Sequence, residues 1–302
     1  MSKLVWLASY PKSGNTWFRM IVANLGAREP ADINNLPVRG GIASGRREFD
    51  DVTLLDSGLL THDETEALRP RAYEAYARGD WLDPEAAGAS PWPRFMKVHD
   101  AYAATPLGEP MFAAAGRAIL IVRDPRDVAP SVANHFHRRI DGAIRMMAEP
   151  GAALSKRVDS QANQMRQRLL DWSGHCASWL NQRDIAIHLM RYEDLAADPV
   201  GVFSAAMAFA GRAVAETDVV RAVEFARFER LQAQERAQGF KEWRPRPGRA
   251  FFRRGQAGGW RGELTGEQVS RIEAAHGTMM RRLGYALSTD QGISQGDAAS
   301  ED

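Results

Sequence analysis

The sequence has 302 residues and contains one cysteine, Cys176. A single thiol excludes an intramolecular disulfide and a metal site built from a cysteine cluster, and it fits a reducing compartment. No apolar run approaches the roughly 18 residues of a membrane-spanning helix. Pro11 and Lys12 also interrupt the N-terminal apolar stretch before a signal-peptide core could be completed. We therefore predict a cytoplasmic protein without a membrane partner.

Net charge is nearly absent as well, because 39 Lys and Arg residues balance 38 Asp and Glu residues to a formal charge of +1. A charge this small argues against a general nucleic-acid partner. Residues 288–302 contain four acidic residues and no basic residue, so residues 1–287 carry a formal charge of +5. That modest positive charge suits a small polyanionic ligand, and the acidic stretch is predicted to be a disordered tail.

Strand-like segments give the main indication of the fold. Each is short, carries apolar residues and ends in polar or charged residues, as strands of a buried parallel sheet do. They predict a single α/β domain over residues 1–287, of P-loop-like architecture, with a central, mostly parallel β-sheet and helices on both faces. The segments are 4–8, 94–98, 117–122 and 185–190.

The segment after the first strand has the composition of an anion-binding loop. Pro11 prevents the strand from continuing, and Gly14 allows the backbone to approach a ligand closely. Lys12 places a cation near the positive end of the helix that starts near Thr16. Hydroxyl and amide groups of the same loop add further donors. The residues predicted to bind the anion are Lys12, Ser13, Gly14, Asn15 and Thr16.

The spacing of this loop differs from that of a Walker A loop. Walker A requires Gly-x-x-x-x-Gly-Lys-Ser/Thr, in which the hydroxyl next to the lysine holds magnesium. Here Lys12 precedes Gly14 by two residues, and no glycine lies four or five residues upstream. We therefore predict a site that needs no metal. His135 and His137 stand two apart on a predicted helix and face different directions, so they do not form a metal-binding pair.

Two further strand ends carry side chains suited to chemistry. Lys97 and His99 lie where the second strand ends, which is the edge at which open α/β sheets bind ligands. Arg123 ends the third strand, and Ser131 follows two helical turns later, so both can converge on one phosphate. Near the C-terminus, Arg253-Arg254-Gly255 combines forked donors with a backbone that a phosphate can approach.

These segments, taken together, resemble the sulfotransferases that use 3′-phosphoadenosine 5′-phosphosulfate (PAPS). Tyr-Pro-Lys-Ser-Gly-Asn-Thr-Trp at 10–17 resembles the family's 5′-phosphosulfate loop, and Lys97-Val98-His99 matches its Lys-x-His element. Arg123 and Ser131 match the 3′-phosphate motif, in which Arg and Ser stand eight residues apart. The resemblance continues through Tyr192-Glu193-Asp194, Phe228-Glu229-Arg230-Leu231 and the segment 251–261, and it spans about residues 4 to 265.

The resemblance implies a role for each matching residue. His99 is the general base, Lys97 is a nearby charge, and Lys12 is the cation at the bridging oxygen of the donor. Trp17 and Phe228 sandwich the adenine, and Tyr192 lies near the nucleotide. The implied 3′-phosphate ligands are Arg123, Ser131, Arg253, Arg254 and Gly255, and the implied product is adenosine 3′,5′-bisphosphate (PAP).

Some positions depart from the family pattern. Arg227 replaces a serine before Phe228, and Gly259 replaces an aspartate before Trp260. Gly266 and Ser270 stand where the dimerisation pattern has Val and Glu, so a monomer and a homodimer both remain open.

The acceptor is predicted to be a small hydroxylated molecule, chosen by the insertions 27–95 and 136–170, the second of which could form a lid. Some segments resemble bacterial sulfotransferases that modify natural products such as glycopeptides. Two other functions remain open. One is a small-molecule kinase on a P-loop architecture, which would require magnesium and ATP. The other is a nucleotide-sensing or RNA-binding module that uses the basic segments 244–249 and 253–254.

Overall fold

A computed structural model describes residues 4–36, 41–79, 93–157, 162–243 and 248–292. Its centre is a four-stranded parallel sheet with the order β2-β1-β3-β6. A separate antiparallel pair, β4 and β5, lies within the segment 136–170. The strands are β1 (Leu4–Ser9), β2 (Arg94–Val98), β3 (Arg117–Val122), β4 (Ala153–Leu154), β5 (Gln167–Arg168) and β6 (Ala186–Arg191).

Helices follow the strands along most of the described chain. They are α1 (Asn15–Ala23), α2 (Arg46–Thr53), α3 (His62–Arg78), α4 (Pro125–His135), α5 (Ile140–Met147), α6 (Trp172–Asn181), α7 (Tyr192–Ala197), α8 (Pro199–Phe209), α9 (Glu216–Phe225), α10 (Phe228–Gln238), α11 (Gly266–Arg282) and α12 (Ser288–Gly292).

Both faces of the sheet are covered by helices, as the sequence predicts. Along β1, Trp6 belongs to one hydrophobic core and Leu7 to another, because successive side chains of a strand point to opposite faces. The Trp6 core includes side chains of α3, α4, α6 and α11, and the Leu7 core includes side chains of α1, α8, α9 and α10. The domain is therefore a three-layered α/β structure, which confirms the predicted fold class.

The strand register brings the predicted site residues to one edge. Ala8 pairs with Val98, Ser9 pairs with Ile121, and Val122 pairs with Arg191. Since all four strands are parallel, the segments that follow them emerge side by side. The loop after β1, His99, Arg123 and Tyr192 consequently lie at the same end of the sheet.

The helix α3 runs through Pro70, with a capping box at Thr61 and buried side chains along its length. One local expectation differs from the structure. Residues 288–292, expected to begin a disordered tail, form α12. There the backbone N–H and hydroxyl of Ser288 donate to Glu273, and Arg281 pairs with Asp290 at 3.0 Å. Residues 293–302 lie outside the described residues.

Candidate active site

A cavity of about 620 Å³ opens where the four parallel strands end. Its wall combines segments that are far apart in sequence. Of the residues predicted from the sequence, it includes Lys12, Gly14, Asn15, Thr16, Trp17, Lys97, His99, Arg123, Ser131, Tyr192, Phe228, Arg253, Arg254 and Gly255. Ser13 is the exception, because its side chain is fully buried and does not line the cavity.

His99 is held as a neutral imidazole with a defined tautomer. Its Nδ1 lies 2.8 Å from the carbonyl oxygen of Ser9. A carbonyl can only accept, so Nδ1 carries the hydrogen and Nε2 keeps its lone pair. Burial, followed by the charge of Lys97, holds the pKa of His99 well below its usual range. The ring therefore presents an unprotonated nitrogen that can accept a proton.

The loop after β1 has an unusual backbone at two positions. Lys12 adopts a φ of 72° and Gly14 a φ of 112°. A Cβ on Gly14 would lie 2.6 Å from a ring carbon of Tyr192, so only glycine fits there. The Lys12 Nζ lies 3.4 Å from the centroid of the Phe251 ring. Burial, with Lys97 and Arg123 nearby, lowers the pKa of Lys12 well below its ordinary value.

Two polar residues of the loop, Ser13 and Asn15, do not offer a free side-chain donor to the cavity. The side-chain amide of Asn15 donates to the carbonyl of Leu7 at 2.9 Å, which ties the start of α1 back to β1. The hydroxyl of Ser13 has no hydrogen-bond partner within the described part of the chain. The side chains of Lys12 and Thr16 and the backbone N–H groups at the start of α1 remain as anion donors.

An ion cluster that the sequence did not predict lies beside Lys97. Arg19 of α1 donates two hydrogen bonds to Glu242, at 2.9 and 2.7 Å, and the Lys97 Nζ lies 3.6 Å from the same carboxylate. Partial desolvation raises the pKa of Glu242, but the hydrogen bonds from Arg19 and the charge of Lys97 outweigh it and lower the pKa to about 2. Glu242 also lines the cavity. No local pattern could have revealed this cluster, because Arg19 and Glu242 are 223 positions apart.

Tyr192 joins three of the sequence motifs. Its ring lies below the Arg123 guanidinium, at 4.1 Å from Cζ to the ring centroid, and 5.7 Å from the ring of Trp17. Its hydroxyl donates to the carbonyl of Gly255 at 2.9 Å. A Cβ on Gly255 would lie 2.2 Å from the Phe228 ring, so that backbone packs directly on an aromatic face.

The segment 248–263 forms one wall of the cavity and is anchored from several sides. Glu235 of α10 accepts from the backbone N–H groups of Phe251 and Phe252 at 2.6 and 2.8 Å. Asp127 of α4 accepts from those of Gly258 and Trp260 at 2.6 and 2.8 Å. Hydrogen bonds from its backbone N–H groups to carboxylates of α10 and α4 therefore hold this wall in place.

Gly259, which departs from the family pattern, lies beside Asp127. A Cβ at this position would stand 3.8 Å from the Asp127 carboxylate. An aspartate at 259 would therefore add a second negative charge next to the first.

Other residues that line the cavity lie outside the predicted site. His135 is one of them, and its ring lies 6.0 Å from that of Phe251. Burial lowers its pKa to about 3, and its Nδ1 lacks a hydrogen-bond partner among the described residues. From the sequence, His135 was weighed only as a possible metal ligand. Further lining residues mix polar and apolar side chains: Ile42, Phe136, Leu154, Ser155, Ala162, Asn163 and Gln164.

Neither a metal cluster nor a membrane span is found in the ranges that the structure describes. They contain no group of three or more His, Cys, Asp or Glu side chains that could hold a metal ion. No helix in them is long and apolar enough to cross a membrane.

The fold agrees with comparisons to known proteins. The sulfotransferase domain model matches residues 2–284, and the chain belongs to this family. Cytosolic sulfotransferase 17 of Arabidopsis thaliana is 22% identical over 294 residues, which cover 94% of this chain and 76% of that relative.

Two solved structures share the fold. A retinol dehydratase crystallised with androsterone and the inactive cofactor PAP has a TM-score of 0.60 and 19% identity, with 95% of this chain and 83% of that chain covered. A mouse sulfotransferase complexed with PAP has a TM-score of 0.55 and 17% identity, with coverage of 96% and 86%.

Proposed function

We propose that this sulfotransferase transfers the sulfonyl group of PAPS to a hydroxyl of a small molecule and releases PAP. The observation that carries the proposal is the convergence of Lys12, Arg123 and Arg254 on the cavity that also holds His99. A nucleotide with anions at two ends of its ribose needs cations at both ends of one site. An acceptor hydroxyl needs a neutral base beside the group that is transferred.

The reaction follows from these positions. The acceptor oxygen forms a bond to sulfur as the bond between sulfur and the bridging oxygen breaks, and His99 Nε2 takes the hydroxyl proton. Lys12, with Lys97 nearby, holds the negative charge that develops on the leaving phosphate. Positioning and electrostatics supply most of the rate, as in phosphoryl transfer, and the donor needs no metal in this scheme.

The nucleotide is assigned to the end of the cavity near Tyr192. Trp17 and Phe228 bind the adenine, and Arg123, Ser131, Arg253, Arg254 and the Gly255 backbone bind the 3′-phosphate. Trp17 is fixed for this role by a hydrogen bond from Nε1 to the Ala226 carbonyl at 3.1 Å. The 5′-phosphate contacts the loop that contains Lys12, Gly14, Asn15 and Thr16, with Ser13 contributing its backbone alone.

The acceptor is assigned to the part of the cavity lined by Ile42, Ser155 and Asn163. Ile42 comes from the segment 27–95, and Ser155 and Asn163 come from the segment 136–170, which supports the predicted role of both segments in acceptor choice. The mixed lining favours an acceptor with several hydroxyl groups, and an amine acceptor is the second choice.

The direct test mixes the protein with PAPS and a panel of phenols, sugars and hydroxylated natural products, without added metal, and follows PAP release. Acceptor-dependent PAP formation that persists with a chelator is the expected result. ATP turnover that requires magnesium would instead favour a kinase, and no release of PAP with any acceptor would contradict the proposal.

A nucleic-acid partner is not part of the proposal. Its basis would be the basic segment 244–249, of which residues 244–247 lie outside the described residues. Arg249 donates to the carbonyls of Ala133 and Asn134 at 3.2 Å each, and Arg253 pairs with Glu263. Arg249 therefore serves internal contacts, and Arg253 belongs to the wall assigned to the 3′-phosphate. We place the reaction in the cytoplasm, with the buried thiol of Cys176 unpaired.

Gly14→Ala is expected to weaken PAP binding by more than about tenfold. The added methyl would meet the Tyr192 ring at 2.6 Å, and alanine is strained at a φ of 112°. Gly262→Ala is the matched control, since a Cβ there meets nothing within 4 Å. Titration calorimetry with PAP measures both variants, and equal affinity for the two would contradict the packing argument.

Glu242→Gln is expected to move the alkaline limb of the kcat profile to lower pH. Burial lowers the pKa of Lys97, and Glu242 partly offsets that effect. Without the carboxylate the Lys97 pKa falls further, with the positive charge of Arg19 also facing it, so the ammonium is lost at a lower pH. Activity at pH 7 should stay within about tenfold of wild type. The exposed Glu229→Gln is the control, and an unmoved limb would remove Lys97 from catalysis.

A further inference from the structure

The wall assigned to the 3′-phosphate contains a carboxylate as well as arginines. Glu263 follows the turn that contains Trp260, and its side chain lines the cavity with Arg253 and Arg254. Its two oxygens accept from the Arg253 guanidinium at 2.5 and 2.9 Å. The Arg254 Nη1 lies 3.3 Å from the same carboxylate. One acid therefore contacts both arginines of the motif.

Burial distinguishes the three side chains. Glu263 is 14% exposed, whereas Arg253 is 31% exposed and Arg254 is 47% exposed. The acid is thus the most buried of the three, although all three side chains line the cavity. Arg254 is the most exposed of the three, so its guanidinium has the most surface left for a phosphate.

The N–H groups of one guanidinium cannot bind a carboxylate and a phosphate fully at the same time. Guanidinium groups bind carboxylate and phosphate through the same forked N–H pairs. A carboxylate a few ångströms from a bound phosphate also repels it, since like charges disfavour each other at this range. Glu263 is therefore expected to compete with the 3′-phosphate for arginine donors and to weaken its binding.

Asp127, another acid that lines the cavity, has a different role. Asp127 accepts from the backbone N–H groups of Gly258 and Trp260, so its charge shapes the loop. Arg123 donates to the carbonyl of Gln256 at 2.8 Å and does not need an acidic partner for its position. In the described part of this wall, Glu263 is the carboxylate that pairs with the two arginines.

We propose that Glu263 is a resident counter-ion of the 3′-phosphate site, which occupies Arg253 and Arg254 without nucleotide and yields Arg254 to the phosphate when PAPS or PAP binds. The consequence is a nucleotide that is held less tightly and leaves more easily than the arginines alone would allow. This inference rests on the proposed function, because it assumes that the 3′-phosphate lies at these arginines.

The test compares Glu263→Gln with wild type for binding of PAP and of 5′-AMP, which lacks the 3′-phosphate. The glutamine keeps the shape and a hydrogen-bond acceptor but removes the charge. PAP should bind roughly three- to tenfold tighter to the variant, which is the range for a partly exposed charge contact. The affinity for 5′-AMP should stay within about twofold, and the gain for PAP should shrink at high salt.

The exposed Glu267→Gln is the matched control, since it removes the same charge from the start of α11. It should leave both affinities unchanged. If PAP binds Glu263→Gln as weakly as wild type or more weakly, Glu263 orients the arginines and the inference is overturned. If wild type binds PAP no better than 5′-AMP, the proposed function itself fails, and this inference fails with it.

Discussion

His99→Ala is expected to lower kcat for sulfonyl transfer by about 10²–10⁴-fold, the usual cost of losing a positioned base. The Ser9 carbonyl fixes the ring by its contact with Nδ1 at 2.8 Å, so Nε2 is presented to the cavity without a proton. Alanine removes the proton acceptor but leaves the arginines and the loop after β1 in place. PAP affinity should therefore stay within about twofold.

The measurements are steady-state PAP release at saturating PAPS and, separately, calorimetry with PAP. His135→Asn is the control, because this second histidine lines the same cavity and is not assigned the proton transfer. Its kcat should change far less than that of His99→Ala. A His99→Ala enzyme with undiminished kcat would assign the base elsewhere, whereas equal losses in the two variants would indicate a shared structural defect.

Asp100→Ala is expected to cost about 3–5 kcal/mol of unfolding free energy, because it leaves a buried charge unpaired. Arg69 and Asp100 are joined by hydrogen bonds of 2.9 and 2.8 Å, and their side chains are 0% and 3% exposed. The same pair links α3 to the residue that directly follows His99. Losing it should therefore loosen the segment that holds the base.

Urea denaturation of the two proteins measures the effect. Glu74→Ala is the matched control, because its partner Arg71 is 66% exposed and such surface pairs contribute at most about 1 kcal/mol. The double variant Arg69→Met, Asp100→Leu should recover much of the loss, since it leaves no unpaired charge. An unchanged midpoint for Asp100→Ala would contradict this account.

The sequence was sufficient to predict the edge at which the motifs meet. Lys12, His99 and Arg123 each follow a strand-like segment, and parallel strands bring their carboxyl ends together. The order of the strands could not be predicted, since any order of parallel strands leaves these ends at one edge.

The residues that sequence reasoning missed are acids outside the motifs. Glu242 has its partner Arg19 at the opposite end of the chain, and Glu263 lies just beyond the matched segment 251–261 and pairs with Arg253. Conversely, Ser13 and Asn15 have the right side chains for phosphate binding, but local packing turns Ser13 inward and commits the Asn15 amide to Leu7. Polar composition predicts a loop's chemistry but not the direction of each side chain.

The position of Tyr192 has a consequence for how this enzyme can change. Its ring and hydroxyl touch Gly14, Arg123 and Gly255, so a substitution in any one of these motifs disturbs the other two. Residues such as Leu154 and Asn163 have no such contact with Tyr192. Selection for new acceptors, in nature or in the laboratory, can therefore replace residues such as Leu154 and Asn163 while the residues around Tyr192 stay constant.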